Sequence, residues 1–356
     1  MYRGWTVGVV VPAYNEEGVV GEVIETVPAF VDRVYVIDDG STDDTWTEIR
    51  AHADESEPIT TVADGGVEHA QRVVPIRHER NQGVGASIVT GYHRAVSDGV
   101  DVAVVMNGDG QMDPGRLPDL LDPIVEERAE YAKGNRLMRP EHRAPMTTWR
   151  LFGNALLSGL TKVASGYWKT ADPQNGYTAI SHEALSSLRL SELYTDYGFC
   201  NDVLIQLNAR GMRVADVTMP AIYGDEESTI RYSSFVPGLS ALLLRRFCWR
   251  LWVRYGIRES HPLLLLYALG AGTVAGGTAL VGAAMLLAVL GSGGVAATGV
   301  GGLLLTVVGT LALVLAMTIE AHHNADLEVR IDDDRDGERT GTRRLRDDDE
   351  RDSVIG

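Results

Sequence analysis

The stretch TVGVVVPAYNEEGVVGEVIETV, residues 6–27, reads as a buried strand running into a helix. TVGVVV (6–11) is valine-rich and uncharged, which suits a strand covered on both faces. A proline and an acidic pair end the run, and EEGVVGEVIETV (16–27) resumes with apolar residues at helical spacing. The unit then repeats. RVYVID (33–38) is a second strand, followed by DGSTDDTWTEIRAHA (39–53), where Ser41 or Thr42 can cap a helix with an acidic first turn. VVPIRH (73–78) with GVGASIVTGYHRAVSDG (83–99) is a third unit, and DVAVVMN (101–107) is the next strand. Such a series predicts an α/β domain with a mostly parallel sheet, its function gathered where strands end in loops. Residues 54–71 lack periodicity and read as a surface insertion. A dinucleotide-binding sheet would need G-x-G-x-x-G after the first strand, where this chain has PAYNEE.

The 356 residues carry 49 acidic and 32 basic side chains, a formal charge of -17, which argues against nucleic acid as a partner. Lys133, Lys162 and Lys169 are the only lysines. Acid excess with so little lysine fits adaptation to high salt, and a genome that prefers arginine codons would leave the same mark. Two cysteines, Cys200 and Cys248, are too few for a disulfide framework or a zinc site. No signal peptide is expected, because the first apolar run is interrupted too early.

From Leu263 to Ile319 no residue is charged, a length too great for one bilayer crossing and suited to two. GSGG (291–294) divides it, so a transmembrane hairpin of helices 263–290 and 295–319 is predicted. Arginines at 245, 246, 250, 254 and 258 crowd the approach while the intervening loop is uncharged, which places both ends of the hairpin in the cytoplasm. Residues 233–260 mix Arg with Trp, Phe and Leu, as a juxtamembrane amphipathic helix does in the headgroup layer or docked on the preceding domain. The tail, 320–356, is rich in mixed charge and reads as a disordered, acidic, cytoplasmic segment.

Six motifs follow in order: VVVPAYNEEGVV, VYVIDDGSTDDT, NQGVGASIVTGYHRA, NGDGQMDP, KGNRL and DPQNGYTAIS. Together they resemble the family 2 glycosyltransferases of the GT-A fold, near the dolichyl-phosphate mannose and glucose synthases, over residues 5 to about 232. The resemblance implies a GT-A nucleotide-sugar-binding domain at 1–232. It implies that Pro12, Ala13, Tyr14, Glu16, Asp38 and Asp39 hold the nucleoside of a UDP- or GDP-hexose. Asn81, Gly83 and Gly85 correspond to the loop lying against the donor, glycine letting the backbone come close.

GDGQMDP resembles the Asp-x-Asp region that sets Mg²⁺ or Mn²⁺ on the diphosphate, with Asp109 and Gln111 as ligands. Asn107 stands where relatives carry the first aspartate, so weaker metal binding is expected. Lys133 and Arg136 are expected to face the donor phosphates. Asp172 and Asn175 fall in the acceptor-side loop, and Arg231 falls in a mobile loop with a phosphate-binding cation. Asp202 occupies the place of the family's general base. The implied reaction is inverting hexose transfer to a polyprenyl (dolichyl) phosphate at the membrane, or to a hydroxyl of a lipid-linked glycan with Asp202 as base. An inactive relative serving as a membrane scaffold is the reading from outside enzymology.

Overall fold

The computed structural model describes residues 1–56, 58–63, 66–137, 148–220, 232–291 and 293–331. The repeating units form β1 (Val7–Ala13), α1 (Val20–Thr26), β2 (Arg33–Asp38), α2 (Thr45–Glu55), β3 (Pro58–Ala63), β4 (Gly66–Gln71), β5 (Val73–Arg77), α3 (Val84–Ser97) and β6 (Val102–Val105). There follow α4 (Leu117–Val125), β7 (Tyr131–Asn135), α5 (Thr148–Ser165), β8 (Thr178–Ser181), α6 (His182–Ser187), α7 (Phe199–Ala209) and β9 (Val214–Thr218). One sheet runs β10-β9-β7-β8-β6-β1-β2-β5, β10 being Glu328–Ile331. Only β8 is antiparallel to its neighbours. β1, flanked by β2 on one side and β6 on the other, is buried at every position, as its valine content requires. Connections leave β1 in both directions, which opens a crevice at the carboxyl ends of the strands.

Two local expectations are corrected. Residues 54–71 hold a hairpin, β3 and β4 pairing antiparallel from Pro58↔Gln71 to Ala63↔Gly66. The second helix starts at Thr45, because Asp43 Oδ1 accepts from the Thr45 backbone and hydroxyl and delays the first turn past Ser41 and Thr42.

Beyond the domain, α8 (Tyr232–Leu251) continues as a π-helix (Trp252–Arg258). Then α9 (Leu263–Val289) and α10 (Val295–His323) pack as a hairpin, both long and apolar enough to cross a membrane. Glycines let them approach: a Cβ on Gly277 would stand 2.7 Å from the Gly302 carbonyl oxygen.

Helix α8 and its π continuation are docked, with three of their five arginines turned inward. Arg246, Arg250 and Arg254, four apart and so on one face, are all buried. Arg250 Nε donates to Ala164 O at 2.8 Å and its Nη1 reaches both Asn208 and Glu320, while Arg254 donates to the Asn208 carbonyl at 2.9 Å. Burying guanidinium groups is costly unless they are paired, and here each has acceptors. Arg245 and Arg258 remain exposed, so only part of the expected headgroup-facing cationic surface exists.

The tail is also corrected at its start. Residues 320–331 are ordered: β10 adds to the sheet parallel to β9, and Glu328 accepts from the backbone of Trp168, Lys169 and Thr170 at 2.6–2.8 Å. Both ends of the hairpin therefore return to the same domain. Residues 332–356 lie outside the described residues.

Candidate active site

The first loop is stitched to its neighbours by backbone and side-chain bonds. Pro12 O accepts from Gly108 N at 3.0 Å and Ala13 O accepts from Asp39 N at 2.9 Å, joining the ends of β1, β2 and β6. Glu16 N donates to Thr45 Oγ1, and Tyr14 is exposed. Asp38, fully buried, accepts from Ser41 N at 2.9 Å and pairs with Arg77 at 2.9 Å. Asp39 accepts from Gln82 N and Gly83 N and meets His78 Nδ1 at 2.7 Å. Asn81 Oδ1 accepts from Gly83 N.

The close approach that Gly83 and Gly85 allow is to the chain's own backbone. A Cβ on Gly85 would lie 2.6 Å from the Thr195 carbonyl carbon and one on Gly83 2.9 Å from Thr195 O, with Gly83 at φ +94°. The Gly83–Gly85 turn is thus packed against the Thr195 backbone.

A cavity of about 130 Å³ opens at the loop after β6, and its lining includes none of Pro12, Ala13, Tyr14, Glu16, Asp38, Asp39, Asn81, Gly83 and Gly85. Asn107, Asp109 and Gln111 line it from the loop after β6, Arg116 from the turn that follows, and Gln174 and Asn175 from the 172–177 loop. Arg136 lines it too. Its Nε and one terminal nitrogen grip Asp172 at 2.7 and 2.9 Å, and its backbone N–H donates to the same carboxylate at 3.1 Å. Burial alone would raise the Asp172 pKa. The bonds and charge of Arg136, with the charge of Lys133, outweigh it and hold the carboxyl below its ordinary value. Asp172 sits at φ +50°, a left-handed conformation that turns the DPQNGY loop toward the cavity.

Asp109 Oδ1 accepts from Gln111 N at 3.0 Å, so the GDGQ turn is folded around its own carboxylate. Asp109 between the amide side chains of Asn107 and Gln111 gives a set of hard oxygen donors, and Asp113 lines the same cavity. That suits a Mg²⁺ or Mn²⁺ whose other positions go to phosphate and water. Among the described residues no group of three His, Cys, Asp or Glu side chains could hold a metal by itself.

Lys133 and Asp202 also stand away from the cavity lining. Lys133 is buried, its ammonium bonded to Gly134 O, Ala171 O and Asp216 Oδ1, which uses all three donors inside the fold. Asp202 is fully buried, with Arg246 Nε 2.7 Å from Oδ1 and a second Arg246 nitrogen donating to Oδ2 at 2.8 Å. Oδ2 also accepts from Tyr194 N. Asp202 does not line the cavity. Burial pushes its carboxyl up, outweighing Arg246. Arg231 lies outside the described residues. Arg116 and Gln174 were missed from the sequence, although Gln174 stands inside the motif that gave Asp172 and Asn175.

A sheet of this topology with an oxygen-lined, arginine-flanked cavity at its strand ends has the GT-A fold of the glycosyltransferases. The description "Glycosyl transferase family 2" matches residues 8–189, and the chain belongs to that family. It is 31% identical to the UDP-N-acetylglucosamine--dolichyl-phosphate N-acetylglucosaminyltransferase of Methanococcus voltae, over 60% of this chain and 84% of that one. It is 26% identical to the undecaprenyl-phosphate mannosyltransferase of Micrococcus luteus, over 58% of this chain and 80% of that one. Among solved structures it is similar to mannosyl-3-phosphoglycerate synthase from Rubrobacter xylanophilus, at 19% identity and TM-score 0.47, over 70% of this chain and 74% of that one.

Proposed function

We propose that this glycosyltransferase moves a hexose, with inversion, from a UDP- or GDP-sugar to a polyprenyl (dolichyl) phosphate at the cytoplasmic face of the membrane, its two apolar helices spanning the bilayer. The observation that carries the choice of acceptor is the Asp202–Arg246 pair. A hydroxyl acceptor needs a base in reach of its proton, and the carboxylate expected to serve is held in a buried ion pair away from the cavity. A lipid phosphate is already ionised and needs none. The names of the two relatives, both transferases to a polyprenyl phosphate, support the same reading.

In this scheme a phosphate oxygen attacks the anomeric carbon from the face opposite the leaving group. The bond from that carbon to the donor diphosphate breaks, and nucleoside diphosphate departs with the electron pair. Arg136, held edge-on by Asp172, presents its guanidinium to phosphate oxygens, and Arg116 adds a second cation on the cavity wall. Asp109, with Gln111 and Asn107, would hold Mg²⁺ or Mn²⁺, which when bound supplies neutralisation of the leaving diphosphate. Asp38, Asp39 and the Asn81–Gly85 loop are assigned to the nucleoside on the strength of the sequence motifs.

Membranes carrying the protein, given a panel of nucleotide sugars with Mg²⁺ and polyprenyl phosphate, should yield a phosphate-linked glycolipid identifiable by mass, and Asp109→Ala should not. Sugar found only on a hydroxyl of a lipid-linked glycan would overturn the acceptor assignment. Inertness across every donor and lipid would support the scaffold reading.

A further inference from the structure

Gln174 lines the cavity from the 172–177 loop, and its side-chain amide is oriented by groups that lie outside the lining. Its Nε2 donates to Asn201 Oδ1 at 2.6 Å, Asn201 Nδ2 donates to Thr161 Oγ1 at 2.6 Å, and the Thr161 hydroxyl donates to Leu157 O at 2.8 Å. Asn201, in the first turn of α7, and Thr161, on α5, are both buried.

The direction of this chain of bonds is fixed from its far end. A backbone carbonyl can only accept, so Leu157 O takes the single proton of the Thr161 hydroxyl. Thr161 Oγ1 then has only lone pairs to offer, and Asn201 must turn its NH₂ toward it. That leaves the Asn201 carbonyl for Gln174, which must answer with its own NH₂. Turning either amide over would set like groups against each other at hydrogen-bond distance, in a buried setting where an unmade bond is most costly. Gln174 Oε1 is thus the end of the amide left for the cavity, and it accepts from nothing among the described residues. Asn175, beside it, has its oxygen engaged by Tyr177 N at 3.0 Å.

An acceptor of fixed polarity selects its partner by chemistry. The donor diphosphate and an ionised lipid phosphate carry oxygens without protons, and Arg116 and Arg136 on the same lining suit them. The nucleoside has proton donors, but the loops assigned to it do not line this cavity. The sugar brings the remaining donors. We propose that Gln174 determines sugar specificity: its amide oxygen accepts a hydrogen bond from a hydroxyl or acylamino N–H of the transferred hexose, and Asn201 and Thr161 are positioning residues that hold it in that polarity. The proposal rests on the reading of this cavity as the site of hexose transfer. A sugar without a proton donor at the facing carbon would leave the oxygen desolvated and unpaired, the kind of mismatch that polar sites reject most strongly.

The test uses the full chain in detergent with Mg²⁺, polyprenyl phosphate and whichever of UDP-glucose, UDP-N-acetylglucosamine and GDP-mannose the wild type transfers fastest. That donor is compared with its analogues lacking the substituent at C2, C3, C4 or C6. In the wild type kcat/KM should fall about a hundredfold for one analogue. Gln174→Met should lower transfer of the parent sugar by about the same factor and leave that analogue unchanged, so that discrimination at this carbon alone disappears. Thr161→Val removes the hydroxyl without touching the cavity and should weaken the same discrimination about fivefold, while Thr161→Ser should restore it. A Gln174→Met protein that loses parent and analogues alike, with every ratio intact, would overturn the proposal. A raised half-saturating Mg²⁺ concentration with intact ratios would also overturn it, by giving the oxygen to the metal. Wild-type discrimination in Thr161→Val would overturn the positioning role. Normal transfer by the wild type with no analogue penalised would overturn this proposal alone, whereas inertness with every donor would overturn the transfer reading and this proposal with it.

Discussion

Two Arg–Asp pairs of the same chemistry, Arg136–Asp172 and Arg246–Asp202, do different things. Arg136–Asp172 borders the cavity, its guanidinium 26% exposed, and its aspartate is held below the ordinary carboxylate range. Arg246–Asp202 is sealed between α7 and α8, its guanidinium 9% exposed, and its aspartate is pushed up by burial. The first pair keeps one edge of a cation turned toward a substrate. The second spends both partners on holding the α8 helix to the catalytic domain. A motif supplies the residue types for either use; which use results depends on what packs over the arginine.

The sharpest way to break this contrast is to remove one partner at the sealed seam. Arg246→Met leaves the buried Asp202 carboxylate without its cation, and a loss of about 3–5 kcal/mol in unfolding free energy is expected. It should be read by denaturant unfolding in detergent, with kcat of the folded fraction within about threefold of wild type. A folded Arg246→Met protein with normal stability and abolished turnover would move the seam pair into the catalytic machinery. Asp202→Asn is the companion. It should keep turnover with lipid phosphate, whereas a large loss of kcat would restore the base role.

Next in size is the conservative change at the cavity. Arg136→Lys keeps the charge but loses the planar fork that grips Asp172 while facing phosphate. Transfer should fall about a hundredfold, chiefly in kcat/KM for the lipid phosphate, with folding retained. Arg246→Lys should leave transfer nearly unchanged. Equal kinetic losses in the two lysine variants would erase the distinction drawn between the pairs.

The two aspartates also predict opposite pH slopes. Asp172 has a folded pKa below the ordinary 3.8, so the unfolded chain binds more protons below that value. Its contribution is complete above about pH 4 and is lost as pH falls through the folded value. Asp202 has a folded pKa above 3.8, so there the folded chain binds more protons. Its contribution is present below 3.8 and declines as pH rises through the raised value. Thermal unfolding against pH should therefore lose acid-side steepness in Asp172→Asn and become flatter above pH 4 in Asp202→Asn. Identical changes in the two variants would contradict the assigned shifts.

The same contrast explains what the sequence could and could not reveal. Valine runs at 7–11 and 33–38 and the loops that follow them are local signals, and the sheet and crevice follow from them directly. So do the uncharged helices at Leu263 and Val295. Whether Lys133 meets a phosphate or Asp216 depends on a residue 83 positions away. Asp202 depends on Arg246, 44 positions on, and the ordered start of the tail depends on Glu328 finding Trp168, 160 positions back. Periodicity carries no information about such pairings, because each is decided by packing of elements whose own signals are complete without it. Arg246, Arg250 and Arg254 show the cost of reading composition alone: a row of arginines before an apolar span suggests a headgroup-facing surface, and three of the five face the protein.

The smallest effect concerns the cavity's own charge. Asn107, Asp109 and Asp113 line the cavity, and an aspartate at 107 would place a further carboxylate beside Asp109. With Mg²⁺ bound, that charge adds attraction; with the metal absent, two carboxylates would repel across the turn. Asn107→Asp should therefore lower the half-saturating Mg²⁺ concentration about three- to tenfold and change transfer at saturating Mg²⁺ by less than about twofold. The effect is bounded because Asp109 already supplies the central charge and the donor diphosphate brings its own. An unchanged Mg²⁺ dependence would mean that the 107 side chain does not reach the cation.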